Sequence, residues 1–128
     1  MKLQMPSRAR DHRTAKISVV LPVFNETAIL QELNRRIVSV LERTTPKFEV
    51  VYVNDGSSDG TQENLRDLAE RDRRVVVVDL SRNFGHQAAV HAGLEHASGD
   101  VVIVMDSDLQ DNPEAIPAFL DQWESGSD

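Results

Sequence analysis

Apolar runs and helix-spaced stripes alternate along this chain from Lys16 onward. Ile17 to Leu21 is continuously apolar apart from Ser18 and reads as a first strand. Ile29, Leu30, Leu33, Ile37, Val40 and Leu41 then recur at helical spacing, with Asn34, Arg35 and Glu42 facing away. Phe48 to Val53 reads as a second strand, and Thr61 to Arg71 as a polar helix with a narrow stripe of Leu65, Leu68 and Ala69. Val75 to Leu80 is the third strand. His86 to Ala97 is the third helix, its stripe made of the small residues Ala88, Ala89, Ala92 and Gly93, which permits close approach to a sheet. Val101 to Met105 is the fourth strand. Pro113 suits a first helical turn and opens a last helix through Ile116, Phe119, Leu120 and Trp123, with Pro117 blurring its start. Residues 1–15 show no periodicity and read as a flexible basic tail, so 16–128 forms the folded part.

Strands apolar on both faces and separated by helices predict an α/β fold, a parallel sheet of alternating βα units covered by helices on both faces. In such sheets ligands bind outside the carboxyl ends of the strands. That rule selects four segments: Pro22 to Glu26, Asn54 to Thr61, Ser81 to His86 and Asp106 to Asn112.

Composition narrows the chemistry. A chain of 128 residues, 40% apolar and 27% charged, fits one globular domain. It has no cysteine, which excludes disulfides, thiolate nucleophiles and zinc–thiolate sites. Nothing approaches the ~18 continuous apolar residues of a membrane span, and the N-terminus lacks an apolar leader core, so a cytoplasmic location is expected. The net charge of −7 argues against a nucleic-acid surface. Basic residues crowd the opening stretch, whereas from Ala97 to Asp128 there is no Lys or Arg. An anionic ligand near Asp106 would therefore call for a divalent metal.

Asp106 and Asp108 stand one residue apart at the end of the fourth strand, where an extended chain points both to one side. Hard oxygen donors held together suit Mg²⁺ or Mn²⁺ with substrate phosphate completing the shell. Taken alone, the pair reads first as a common strand-to-loop composition. Pro22 to Glu26 has neither the glycine-rich dinucleotide fingerprint nor a P-loop. Asn25 there reads as a helix cap with Glu26 near the helix dipole, a ligand contact remaining open. In Asn54 to Thr61, two glycines make a tight turn. Asp55 is an acceptor placed for a nucleobase N–H or a ribose hydroxyl, and Asp59 a helix-start residue. Arg82 is the strong cation beside a strand end, a phosphate contact or a surface arginine. His86, His91 and His96 are spaced by five and scatter around a helix, so they form no metal cluster, and His91 and His96 read as structural or solvated.

These segments together resemble family 2 glycosyltransferases of the GT-A fold. The matching stretches are Pro22-Val23-Phe24-Asn25-Glu26, Asn54-Asp55-Gly56-Ser57-Ser58-Asp59-Gly60-Thr61 and Asp106-Ser107-Asp108. Within that family the chain is similar to polyprenyl-phosphate sugar transferases, dolichol-phosphate mannose synthases among them. That likeness rests on Arg82-Asn83-Phe84-Gly85-His86-Gln87-Ala88-Ala89 and Asp108-Leu109-Gln110-Asp111-Asn112-Pro113-Glu114. The resemblance implies the Rossmann-like, nucleotide-sugar-binding half of a GT-A domain, running from Ile17 onward. Pro22, Phe24 and Glu26 would line the nucleoside pocket and Asp55 would contact the base. Arg82, Asp106 and Ser107 complete the nucleotide-sugar set, while Asp106 and Asp108 are the catalytic pair and join Gln110 around the metal. Asn112 and Ser107 stand where Pro and Ala are frequent in the family.

The implied reaction is metal-assisted, inverting transfer from a nucleoside diphosphate sugar, a UDP-sugar ahead of a GDP-sugar, to a polyprenyl phosphate at the cytoplasmic face of a membrane. Two alternatives stand beside it: a donor-binding fragment without turnover, and a family 2 transferase acting on a saccharide hydroxyl. A phosphoacceptor module would need acidic residues where Asn25-Glu26 and Ser81-Arg82 stand. Such transferases continue past the position of Asp128 with further strands and acceptor residues. The Val101 to Met105 strand is therefore expected to show a bare apolar edge, with self-association and no turnover by the isolated chain.

Overall fold

The computed structural model describes residues 2–4, 15–107 and 112–124. Strand β1 is Lys2–Gln4. It is followed by β2 (Ile17–Val23), α1 (Thr27–Thr44), β3 (Phe48–Asn54), α2 (Thr61–Arg71), β4 (Val75–Asp79), α3 (His86–His96) and β5 (Val101–Val104). A single 3₁₀ turn, Pro113–Ala115, leads into α4 (Ile116–Glu124). The sheet order is β1-β5-β2-β3-β4, with β2 to β5 mutually parallel and β1 antiparallel to β5.

Alternation of side chains divides the strands between two cores. Ile17, Val19 and Leu21 of β2, Val50 and Tyr52 of β3, and Val101 and Ile103 of β5 pack with Leu30, Leu33, Ile37 and Leu41 of α1. Leu65 of α2 and Ile116 and Leu120 at the C-terminal end join the same layer. Val20, Val51, Val53, Val102 and Val104 point to the opposite face, where Ala89 of α3 covers them. The sequence reading of a parallel sheet covered on both faces therefore holds.

Small residues let α3 lie close. A Cβ on Gly93 would come within 2.4 Å of Val20 Cγ1, so any larger residue there would have to push the Val20 side chain aside. Ala89 and Gly93 are buried as expected, whereas Ala88 faces outward.

The path of the chain creates the site. From β2 it moves outward through α1 to β3 and through α2 to β4. It then returns through α3, on the other face, to place β5 on the far side of β2. The carboxyl ends of β2 and β5 thus flank the point where strand order reverses, the crevice that open α/β sheets offer to ligands.

Three expectations change. Asn34, expected to face away, is buried, and its Oδ1 accepts the Tyr52 hydroxyl at 2.8 Å. Lys2–Gln4 is not tail but strand, and it lies along β5 with Lys2 opposite Val104, Leu3 opposite Ile103 and Gln4 opposite Val102. The edge expected to be bare, and with it the basis for self-association, is thereby covered. The reason is the demand of unpaired strand N–H and C=O groups for partners, which a nearby extended segment can satisfy. Among the described residues no helix is long and apolar enough to cross a membrane.

Candidate functional site

The loop after β2 is built against the loop after β3. Asn25 takes a left-handed backbone (φ 52°), which asparagine tolerates better than most residues. Its N–H donates to Ser57 Oγ (2.9 Å), and its Oδ1 accepts from the Ser58 N–H (2.8 Å). Asn25 is therefore not the cap of α1. Glu26 holds the capping position, with no side-chain cap bond. The start of α1 is served from across the site instead. Glu26 N–H donates to Thr61 Oγ1 at 3.2 Å, and Thr27 N–H donates to Asp59 Oδ2 at 3.4 Å. Asp59 also accepts from the N–H and hydroxyl of Thr61, so one carboxylate serves the starts of both α1 and α2. The Thr61 hydroxyl, above all, holds the Asp59 carboxyl below its usual range despite some desolvation. The reading of Asp59 as a helix-start residue holds.

Asp55 directly follows β3 and is only 5% exposed. Its Oδ1 accepts the Phe84 N–H at 2.8 Å and its Oδ2 the Gly85 N–H at 3.2 Å, so both oxygens hold the turn before α3. Gly56 beside it has φ 71°, and a Cβ there would lie 2.3 Å from the Arg82 carbonyl carbon. The two loops therefore meet backbone to backbone. Gly85, at φ 100°, then releases the chain into α3, whose first residue is His86.

At the end of β5, Ser107 is buried (3% exposed), and its hydroxyl lies 2.6 Å from Glu26 Oε1 and 3.2 Å from the Pro22 carbonyl oxygen. It joins the β5 end to the β2 end. Asp106 Oδ1 lies 3.7 Å from His86 Nε2, both side chains being about half exposed.

Two adjoining cavities result. One, of about 270 Å³, is lined by Pro22, Val23, Phe24, Glu26, Asp55, Asn83, Gly85 and His86. The other, of about 210 Å³, is lined by Pro22, Glu26, His86, Asp106 and Ser107. Pro22, Glu26 and His86 belong to both. Of the residues picked out from sequence, Pro22, Phe24, Glu26, Asp55, Asp106 and Ser107 come together here. Arg82 does not line either cavity; its guanidinium stacks 4.6 Å from the Phe84 ring centre. Asp108 and Gln110 lie outside the described residues. His86 closes one of the four strand-end segments that the sequence selects, but has no role assigned to it there, and it lines both cavities. The signal was its position directly after a strand-end loop, not its spacing from His91 and His96.

Among the described residues no three metal-binding side chains cluster. What stands at the β5 end is a hard carboxylate, Asp106, partly open to solvent. That donor chemistry fits a hard divalent ion, which takes one or two protein carboxylates and completes its shell with phosphate and water.

Comparison with known proteins agrees with this architecture. Residues 18–128 match the family model described as Glycosyl transferase family 2. The uncharacterized glycosyltransferase YkcC of Bacillus subtilis is 42% identical over 114 residues, covering 89% of this chain and 35% of that protein. The bactoprenol glucosyl transferase of Shigella phage SfV is 43% identical over 113 residues, covering 88% of this chain and 37% of its own. The chain thus spans a little over a third of the length of these curated relatives. A mannosyltransferase of Pyrobaculum calidifontis, solved with GDP-Man and Mn²⁺, superposes with a TM-score of 0.73 over 96% of this chain and 36% of that one. At 24% identity this last likeness speaks for the fold.

Proposed function

The chain belongs to glycosyl transferase family 2, and from that membership we propose that it forms the donor-binding part of an enzyme moving a sugar from a nucleoside diphosphate sugar to a polyprenyl phosphate, with inversion. The observation that carries this is the pair of joined cavities at the reversal of strand order. An aromatic ring (Phe24) stands at one end and a hard carboxylate (Asp106) at the other. A flat base and a charged diphosphate make the same demands in the same order.

Each residue has a task in this reading. Phe24, 43% exposed beside the cavity, offers a face on which a base can stack. Asp106, with Asp108 and Gln110 carried over from the family motif, would hold Mg²⁺ or Mn²⁺. Such an ion, when bound, neutralises the diphosphate and stabilises the negative charge that develops as the sugar leaves. Ser107 keeps the β5 end against β2, so Asp106 and the Phe24 loop hold a fixed separation.

A polyprenyl phosphate acceptor is supported by the relative named as a bactoprenol glucosyl transferase. It also suits the chemistry. The second pKa of a phosphate monoester is about 6, so its oxygen is largely ionised at neutral pH and needs no base to attack. A saccharide hydroxyl would need one.

Calorimetric titration of the chain with UDP- and GDP-sugars, in Mn²⁺ and in EDTA, tests the reading. Binding of one series should require the metal, and Asp106→Asn should weaken it about tenfold or more with the fold intact. Equal affinity with and without metal would refute it.

A further inference from the structure

Asp106 at the β5 end, Glu26 at the β2 end and Asp55 at the β3 end give the joined cavities three carboxylates. Arg82, the cation expected to meet a phosphate, is turned onto Phe84 instead. Among the described side chains lining the two cavities, only the His86 imidazole can carry positive charge, and it is one of three residues that line both. Its Nε2 stands 3.7 Å from Asp106 Oδ1, at the end of the site where a diphosphate would lie. The imidazole is well exposed, so it is available to a ligand.

We propose that His86 donates an imidazole N–H to the diphosphate of the nucleotide donor, in the place the sequence suggested for Arg82. This rests on the nucleotide-sugar reading of the site. An imidazole N–H is a donor in the neutral ring as well as in the charged one, so the contact does not depend on protonation. Asp55 acts one step back, as a positioning residue. By accepting the N–H groups of Phe84 and Gly85 it fixes the turn from which α3, and therefore His86, begins.

Calorimetry of the full chain with three ligands of one base, the nucleoside, its monophosphate and its diphosphate, reads the contact directly. His86→Ala should leave nucleoside affinity within about twofold and weaken the diphosphate about tenfold, the size of one hydrogen bond to a charged group. His86→Gln, which restores an N–H donor, should recover part of that loss. With all titrations run in excess Mn²⁺, His86→Ala should leave the Mn²⁺ concentration needed for half-maximal diphosphate binding within about twofold. If instead that concentration rose about tenfold while diphosphate affinity in excess Mn²⁺ was unchanged, His86 would be acting through the ion and the proposal would fall. Equal losses for nucleoside and diphosphate would mark a disturbed fold and overturn it as well. If the unaltered chain bound neither the uridine nor the guanosine series, the nucleotide reading itself would fail, and this assignment with it.

Discussion

One hydroxyl joins the two halves of the site. Ser107 is buried between Pro22 and Glu26 and lies within hydrogen-bond reach of both. Removing it leaves the Glu26 carboxylate without that donor and loosens the β5 end where Asp106 stands. Ser107→Ala should cost about 1 kcal/mol in stability and weaken metal-dependent nucleotide binding by severalfold, both readable by thermal melting and calorimetry. Unchanged nucleotide affinity in a destabilised variant would reduce Ser107 to a packing residue. At this scale the sequence was legible where chemistry is local. Asp59 beside a helix start announces its own use. Asp55 did not, because its partners are N–H groups at Phe84 and Gly85, and no pattern along the chain shows which loop it will face. Nor does any pattern along the chain show that Arg82 meets the ring of Phe84.

Elements are held at the end of the sheet away from the site by a second polar cluster. Glu49 of β3, 7% exposed, accepts from the Ser18 hydroxyl of β2 at 2.7 Å and from the Ser98 N–H at 2.6 Å. Lys16 Nζ lies 3.8 Å away. Burial pushes the Glu49 carboxyl up, but the bonds from Ser98 and Ser18 and the charge of Lys16 together outweigh it and leave it below its ordinary value. A carboxylate that titrates lower folded than unfolded adds stability above the unfolded value, about 4.3, and that gain is lost as pH falls through the folded one. Glu49→Gln should therefore cost about 1–3 kcal/mol near neutral pH. It should also flatten the fall of the melting temperature below about pH 4. A melting curve with the same acid slope as the parent would show that Glu49 is not the group responsible. The helices and strands themselves were readable from periodicity, because both cores are built from alternating or 3.6-spaced apolar residues. Lys2–Gln4 was not, since three residues carry no period and the strand exists only through its pairing with β5.

For the whole molecule, the order of elements made a parallel sheet legible, but not the reversal that puts β5 on the far side of β2; that follows from how α3 packs across the opposite face. The reversal has a consequence in time. Ile17 stands in register on one side with Phe48, the nearer along the chain, and on the other with Val101, far beyond it. Pairings distant in sequence form slowly, because loop closure must be met before contacts reward it. The β2–β3–β4 layer can therefore assemble before β5 arrives, and the crevice does not exist until it does. A nucleotide can grip only the finished molecule. In stopped-flow experiments a saturating nucleoside diphosphate with Mn²⁺ should slow unfolding about in proportion to its occupancy and leave the refolding rate unchanged. Refolding accelerated by the ligand would mean that β5 docks early. Otherwise the strand that completes the crevice is also the one that ligand release sets free to leave.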